Sequence, residues 1–201
     1  MRLIGFRAAA AVGATVLALG VGLAPASDEP PTYGVSSGKA LVKPGTIAKF
    51  SRKAPRSAPL DLPNVPDNDP TIEGGSLTFY EIDNPSNRMT FALPSTGWEK
   101  MGRDPAAPIG FRFRSPGPPT NACTSVMVKR GVVKATCRGA DLVLMTPLVS
   151  NFLGVTLTIG TDSKKYCPGY YARTNEFGLV RGVPAIVSQS QLCSPSGAFL
   201  D

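Results

Sequence analysis

Histidine does not occur in this chain of 201 residues, tryptophan occurs once, and charged residues make up only 17% of it. Without histidine the chain lacks the usual general base, the usual metal ligand and the only side chain that ordinarily titrates near neutrality. A serine triad is therefore excluded, even though Gly34-Val35-Ser36-Ser37-Gly38 fits the nucleophile-elbow spacing G-x-S-x-G. Ser36 and Lys39 mimic the S-x-x-K pair of penicillin-binding enzymes, but no helical pattern surrounds them and neither S-D-N nor K-T-G follows.

Cysteine is also sparse. The four cysteines, Cys123, Cys137, Cys167 and Cys193, contain no C-x-x-C pair. Zinc binding is thereby disfavoured, and no metal or cofactor is expected. Long apolar runs are missing except for Ala8–Leu23. That run follows Arg2 and Arg7 and ends at Ala24-Pro25-Ala26, so residues 1–26 read as a secretory signal with a small-x-small cleavage site. It is shorter than the roughly 20 residues of a spanning helix. No membrane span is expected after cleavage, and the expected location is outside the cytoplasm, periplasmic or extracellular. In that oxidising setting four cysteines read as two disulfides. Cys123 and Cys137 flank two β-branched runs separated by Lys129-Arg130-Gly131, a hairpin signal that brings the two sulfurs together. Cys167 and Cys193 then pair by elimination.

What the chain does have is basic charge, proline and short β-branched runs. Helical periodicity is nearly absent after the signal, and the expected fold is all-β, an antiparallel β-sandwich or partly open barrel. Expected strands are Lys39–Lys43, Ile47–Arg52, Ser76–Ile82, Met89–Leu93, Gly110–Arg114, Ser125–Lys129, Val132–Thr136, Leu142–Met145, Val155–Ile159, Lys165–Tyr171 and Val183–Val187. Residues 27–37 form a polar leader, and residues 38–197 form a single β-domain. Residues 54–70 carry Pro55, Pro59, Pro63, Pro66 and Pro70, a density that favours an extended surface crossing over a paired strand. Pro44-Gly45 marks the turn of a first hairpin docked on the sheet.

A succession of framework residues then stands out: Gly74-Gly75-Ser76-Leu77, Phe91 through Trp98, Gly110-Phe-Arg-Phe-Arg114, Cys123 through Gly139, and Leu153 through Gly160 before Tyr166-Cys167. This pattern resembles a disulfide-containing β-domain, without characterised activity, that recurs in secreted bacterial proteins. The resemblance covers residues 38–193 and implies a secreted β-domain with no catalytic residue to transfer. Where that domain has a lysine-rich stretch before its first hairpin cysteine, this chain has prolines at 116, 118 and 119.

Two features suggest a binding role. Phe111-Arg112-Phe113-Arg114 alternates, so on a strand both rings point inward and both guanidiniums outward. With Lys129, Arg130, Lys134 and Arg138 on the next hairpin, they would form a basic face suited to anionic partners such as acidic polysaccharide, lipopolysaccharide of the cell envelope or extracellular nucleic acid. An exported chain meets no intracellular nucleic acid. Trp98, Tyr80, Tyr166, Tyr170 and Tyr171 are the candidate stacking residues; Trp98 reads as a core or rim anchor, and because Tyr170 and Tyr171 are adjacent, one of them should face outward and is the better platform. The basic block Lys39–Arg56 and the acidic block Asp61–Asp83 either face one another or form separate solvated surfaces. Asp67-Asn68-Asp69 resembles the start of a calcium loop but lacks its glycine and distant glutamate, and a turn cap is the simpler reading. The overall expectation is a non-enzymatic module acting by surface interaction. Anionic-glycan binding through the basic face is the first alternative, and a histidine-independent carboxylate hydrolase is the second.

Overall fold

The computed structural model describes residues 37–57, 59–65, 68–116, 122–139, 148, 151–160, 164–175, 179–184 and 193. The proposed signal, the leader up to residue 36 and the expected strand Leu142–Met145 lie outside the described residues. Twelve strands are described: β1 (Ser37–Lys43), β2 (Ile47–Lys53), β3 (Gly75–Glu81), β4 (Asn84–Leu93), β5 (Trp98–Met101), β6 (Gly110–Arg114), β7 (Ala122–Lys129), β8 (Val132–Arg138), β9 (Phe152–Ile159), β10 (Lys164–Tyr166), β11 (Gly169–Thr174) and β12 (Val180–Pro184). A four-residue helix, α1 (Pro70–Glu73), precedes β3.

All pairings are antiparallel, and the strands form one sheet in the order β4-β3-β9-β11-β12-β1-β2-β8-β7-β6-β5, with β10 joined to β9. The sheet curls on itself into a nearly closed barrel, so the partly open barrel is the alternative realised. Phe50 on β2 and Phe79 on β3, which are far apart in strand order, meet edge to face at 6.1 Å in its interior. Strand alternation supplies this core: Val42, Phe50, Leu77, Phe111, Phe113, Val126, Val133 and Leu157 all point inward and are buried. The edge strands β4 and β5 follow one another in the chain, and the Trp98 indole N–H donates to the Leu93 carbonyl across the seam (3.2 Å).

The local chemistry explains most boundaries. Pro44-Gly45 forms the β1–β2 turn, with Gly45 at φ 64° and Thr46 N–H donating to Lys43 C=O, a type II arrangement. The β7–β8 hairpin forms as expected, yet Gly131 does not take a positive φ; it stands in open space and its carbonyl accepts from Ala54 N–H. The expected single strand Lys165–Tyr171 is broken into β10 and β11, because Pro168 has no N–H to contribute and Cys167 is bridged to Cys193. The last expected strand begins three residues earlier than read, at Val180, and its residues beyond Pro184 are outside the described set.

Both disulfides are present in the expected connectivity. Cys123 and Cys137 are direct cross-strand neighbours in the β7–β8 ladder. Cys167–Cys193 covers a second, smaller cluster on the outside of the barrel, where Tyr80 and Ile82 are buried. Tyr80 lies over Gly154, its register partner on β9, where any side chain would meet its ring. Burial pushes the Tyr80 hydroxyl up to about 12, outweighing its hydrogen bond with Thr156. The proline-rich crossing closes one end of the barrel: Leu60 is buried, its N–H donates to Arg130 C=O, and Tyr166 Oη donates to Asp61 C=O (2.6 Å).

Candidate functional site: a one-signed outer face

The outward positions of the sheet carry the site. On β6, Phe111 and Phe113 are buried while Arg112 and Arg114 point out, as the alternation requires. Strand register then extends this face well past the β6–β8 hairpin. One row runs Arg112, Met127, Lys134, Ser51, Lys39 across β6, β7, β8, β2 and β1. The next runs Arg114, Ser125, Thr136, Lys49, Leu41, Arg181, Arg173, ending on β12 and β11. Six inter-strand steps at roughly 4.8 Å make this second row about 29 Å long. Lys53, Lys129, Lys43 and Arg138 flank the two rows on the same side. None of these seven strands contains an aspartate or glutamate.

The basic block Lys39–Arg56 therefore does not face the acidic block; most of it joins the β6–β8 hairpin in one surface. Arg52 is the exception, an inward residue that is 2% exposed. The acidic residues are used elsewhere. Asp69 caps α1, accepting from Thr71 N–H (3.0 Å) and Thr71 O–H (2.7 Å), and pairs with Lys100 at 2.6 Å. Burial raises its pKa, but the hydrogen bonds from Lys100 and Thr71 outweigh this and hold the carboxyl below its ordinary value. The calcium-loop resemblance thus resolves, at Asp69, into a helix cap. Glu81 is buried and accepts from Asn87 Nδ2 at 2.8 Å. Glu99, on β5 at the margin of the basic face, pairs with Arg112 at 2.6 Å, and that hydrogen bond lowers its pKa.

Each residue singled out from the sequence has a definite place. Arg114 and Lys134 are exposed on the face, and Lys129 is half-buried at its flank. Arg112 is held by Glu99 and is the least available of the set. Arg130 sits at the hairpin tip, where it lines a depression with Pro59, Leu60 and Asp61 and does not share the strand face. Tyr170 is a correction: it is 1% exposed, with its hydroxyl on Ser51 C=O (3.1 Å), because alternation puts its side chain inside the barrel. Burial raises its pKa. Tyr171 is the outward one, 48% exposed, with its ring 4.8 Å from that of Phe152 on β9. Trp98 is buried against Phe113.

Two depressions lie on this face. The smaller, about 370 Å³, is lined by Arg112, Arg114, Ser125, Met127 and Lys134. The larger, about 780 Å³, lies over β11 and β12 between Asn151, Tyr171, Arg173, Asn175, Leu179, Arg181 and Val183. Sequence reasoning missed Arg173 and Arg181, together with the joining of β1 and β2 to the hairpin. The alternation Tyr171-Ala172-Arg173 was a readable signal for the first, whereas strand order, which puts β12 beside β1, was not.

Two formed disulfides are characteristic of a chain that matures in an oxidising compartment. Among the described residues no helix is long and apolar enough to cross a membrane, and no cluster of cysteine and carboxylate ligands is assembled for a metal. In comparisons with known proteins, no family model, curated protein or solved structure matches the chain.

Proposed function

We propose that this chain is an exported, non-enzymatic β-barrel module that binds anionic polysaccharide of the cell envelope through its outer strand face. The observation that carries this reading is the uninterrupted positive sign of seven adjacent strands. Cations gathered on one surface without a carboxylate among them repel, and a surface that needs only solubility interleaves both signs. A one-signed face about 29 Å across lowers the free energy of the protein only when an anionic partner lies on it. A polymer suits the shape, since the rows run across the strands as a track. The resemblance to a β-domain of secreted bacterial proteins supports the exported part of this reading only. The hydrolase alternative is weaker, because Asp69, Glu81 and Glu99 are each engaged in structural contacts.

The test is retention of the purified chain from Ser27 onward on peptidoglycan, lipopolysaccharide and insoluble acidic polysaccharides, at low and high salt. Retention is expected on at least one of them and should fall steeply with salt, since displaced counterions drive such binding. Lys49→Glu and Lys134→Glu, both at exposed positions, should each weaken it several-fold. Retention indifferent to salt and to both reversals would overturn the reading.

A further inference from the structure

Resting on that reading, we propose that the depression over β11 and β12 is a subsite for one carboxylated sugar ring, stacked on Tyr171 with its carboxylate between Arg173 and Arg181. Three observations point there. Arg173 and Arg181 are direct cross-strand partners, and two guanidiniums held opposite one another repel unless an anion lies between them. Among the described residues no ion pair engages either, and no carboxylate lines the depression. An anion laid between them would relieve that repulsion, and paired guanidiniums bind a carboxylate through several parallel N–H donors.

Tyr171 supplies the second element. It stands two residues from Arg173 on the same face of β11, half-exposed, and the ring of Phe152, its register partner on β9, packs beside it at 4.8 Å. Across the ladder its partner is Val183, which is 63% exposed. An exposed valine beside an exposed, pre-positioned tyrosine costs solvation, and an apolar ring face laid on them would recover it. The C–H face of a pyranose meets that need, and its carboxylate then falls on the arginine side. The third element is size: about 780 Å³ lies within the range of small-ligand sites. A chain anion without rings, such as polyphosphate, would satisfy the arginines and leave Tyr171 and Val183 uncovered.

The experiment uses the whole purified protein and three probes: a galacturonate tetramer, neutral maltotetraose and inorganic polyphosphate. Calorimetric titration should give measurable affinity for the galacturonate tetramer and none for maltotetraose. Tyr171→Ala should weaken the tetramer about tenfold, Tyr171→Phe should retain it, and polyphosphate affinity should change less than about twofold in either. Arg173→Gln should weaken both charged probes. Should Tyr171→Ala fail to fold, amide shift perturbations in the unmodified protein must centre on Tyr171, Arg173 and Arg181. Tetramer binding that ignores Tyr171, or shifts centred on other strands, would overturn the subsite while salt-sensitive polyphosphate binding left the wider face intact. Failure of the protein to bind any charged probe would overturn both.

Discussion

Asp69 shows how much one side chain can settle. Its carboxylate serves a helix N-terminus and Lys100 at once, in a place where it is almost entirely withdrawn from water. Because the folded protein holds its pKa below the unfolded value, the ionised form is the one that folding favours. The associated stability is complete above about pH 4 and drains away as pH falls through the lower folded value. Urea denaturation between pH 2.5 and pH 6 should therefore show a loss on the acid side that Asp69→Asn reduces. Asp69→Ala, which removes both the cap and the ion pair, should cost about 2 kcal/mol at neutral pH. Gly154 makes a second residue-scale prediction. Any Cβ there meets the Tyr80 ring, so Gly154→Ala should destabilise by about 1–3 kcal/mol in thermal or chemical denaturation, even though alanine suits a strand better.

At the scale of elements, legibility followed the strength of the local pattern. Phe111-Arg112-Phe113-Arg114 fixes a strand and its facing by alternation alone, and the Cys123–Cys137 hairpin was readable because its pairing is local. The β5 strand was not, since Trp98-Glu99-Lys100-Met101 alternates weakly and is held in place by Trp98 reaching back to Leu93 and by pairing with β6. The helix α1 had its signals, Asp69 as cap and Pro70 at the first turn, but four residues carry no periodicity to notice. The basic face was only half visible. Sequence shows which residues alternate, while the neighbours of each strand are set by long-range pairing, and only that pairing puts Lys49 and Arg181 in line with Arg114. The two disulfides belong to this scale as well. Cys123–Cys137 closes 14 residues and Cys167–Cys193 closes 26. Chain entropy alone makes the second worth about 0.5 kcal/mol more, and it also covers the Tyr80 cluster. The double variant Cys167→Ala/Cys193→Ala should therefore lower the denaturation midpoint more than Cys123→Ala/Cys137→Ala does. A difference of only about 0.5 kcal/mol would mean that the packing over Tyr80 contributes nothing, and equal losses would count against the chain-entropy argument as well.

For the molecule as a whole, the arrangement separates structural charge from available charge. Lys100 and Arg112 are neutralised by carboxylates at one margin, while Lys39, Lys49, Lys134, Arg173 and Arg181 are gathered on the outer face of strands without acids. Adding salt should therefore act in opposite directions on two observables. Binding to anionic surfaces should weaken as the face is screened, whereas the melting temperature should hold or rise, because the like-charge repulsion across β1, β2 and β8 is relieved. A melting temperature that falls steadily with added salt would indicate that attractive pairs dominate that surface.

Strand order also governs when the fold can exist. The first strand pairs on one side with β2 and on the other with β12, which ends at Pro184, and β3 waits for β9 in the same way. As the chain emerges residue by residue, every length short of β9 leaves β3 with an open, hydrogen-bonding edge, and every length short of β12 leaves β1 with one and the barrel unclosed. Closure is a single late event, slow in the manner of sheets built from distant partners. A chain of this topology cannot complete its barrel before Pro184 has been made, and an unclosed chain can be threaded through a narrow pore, which suits the export proposed above.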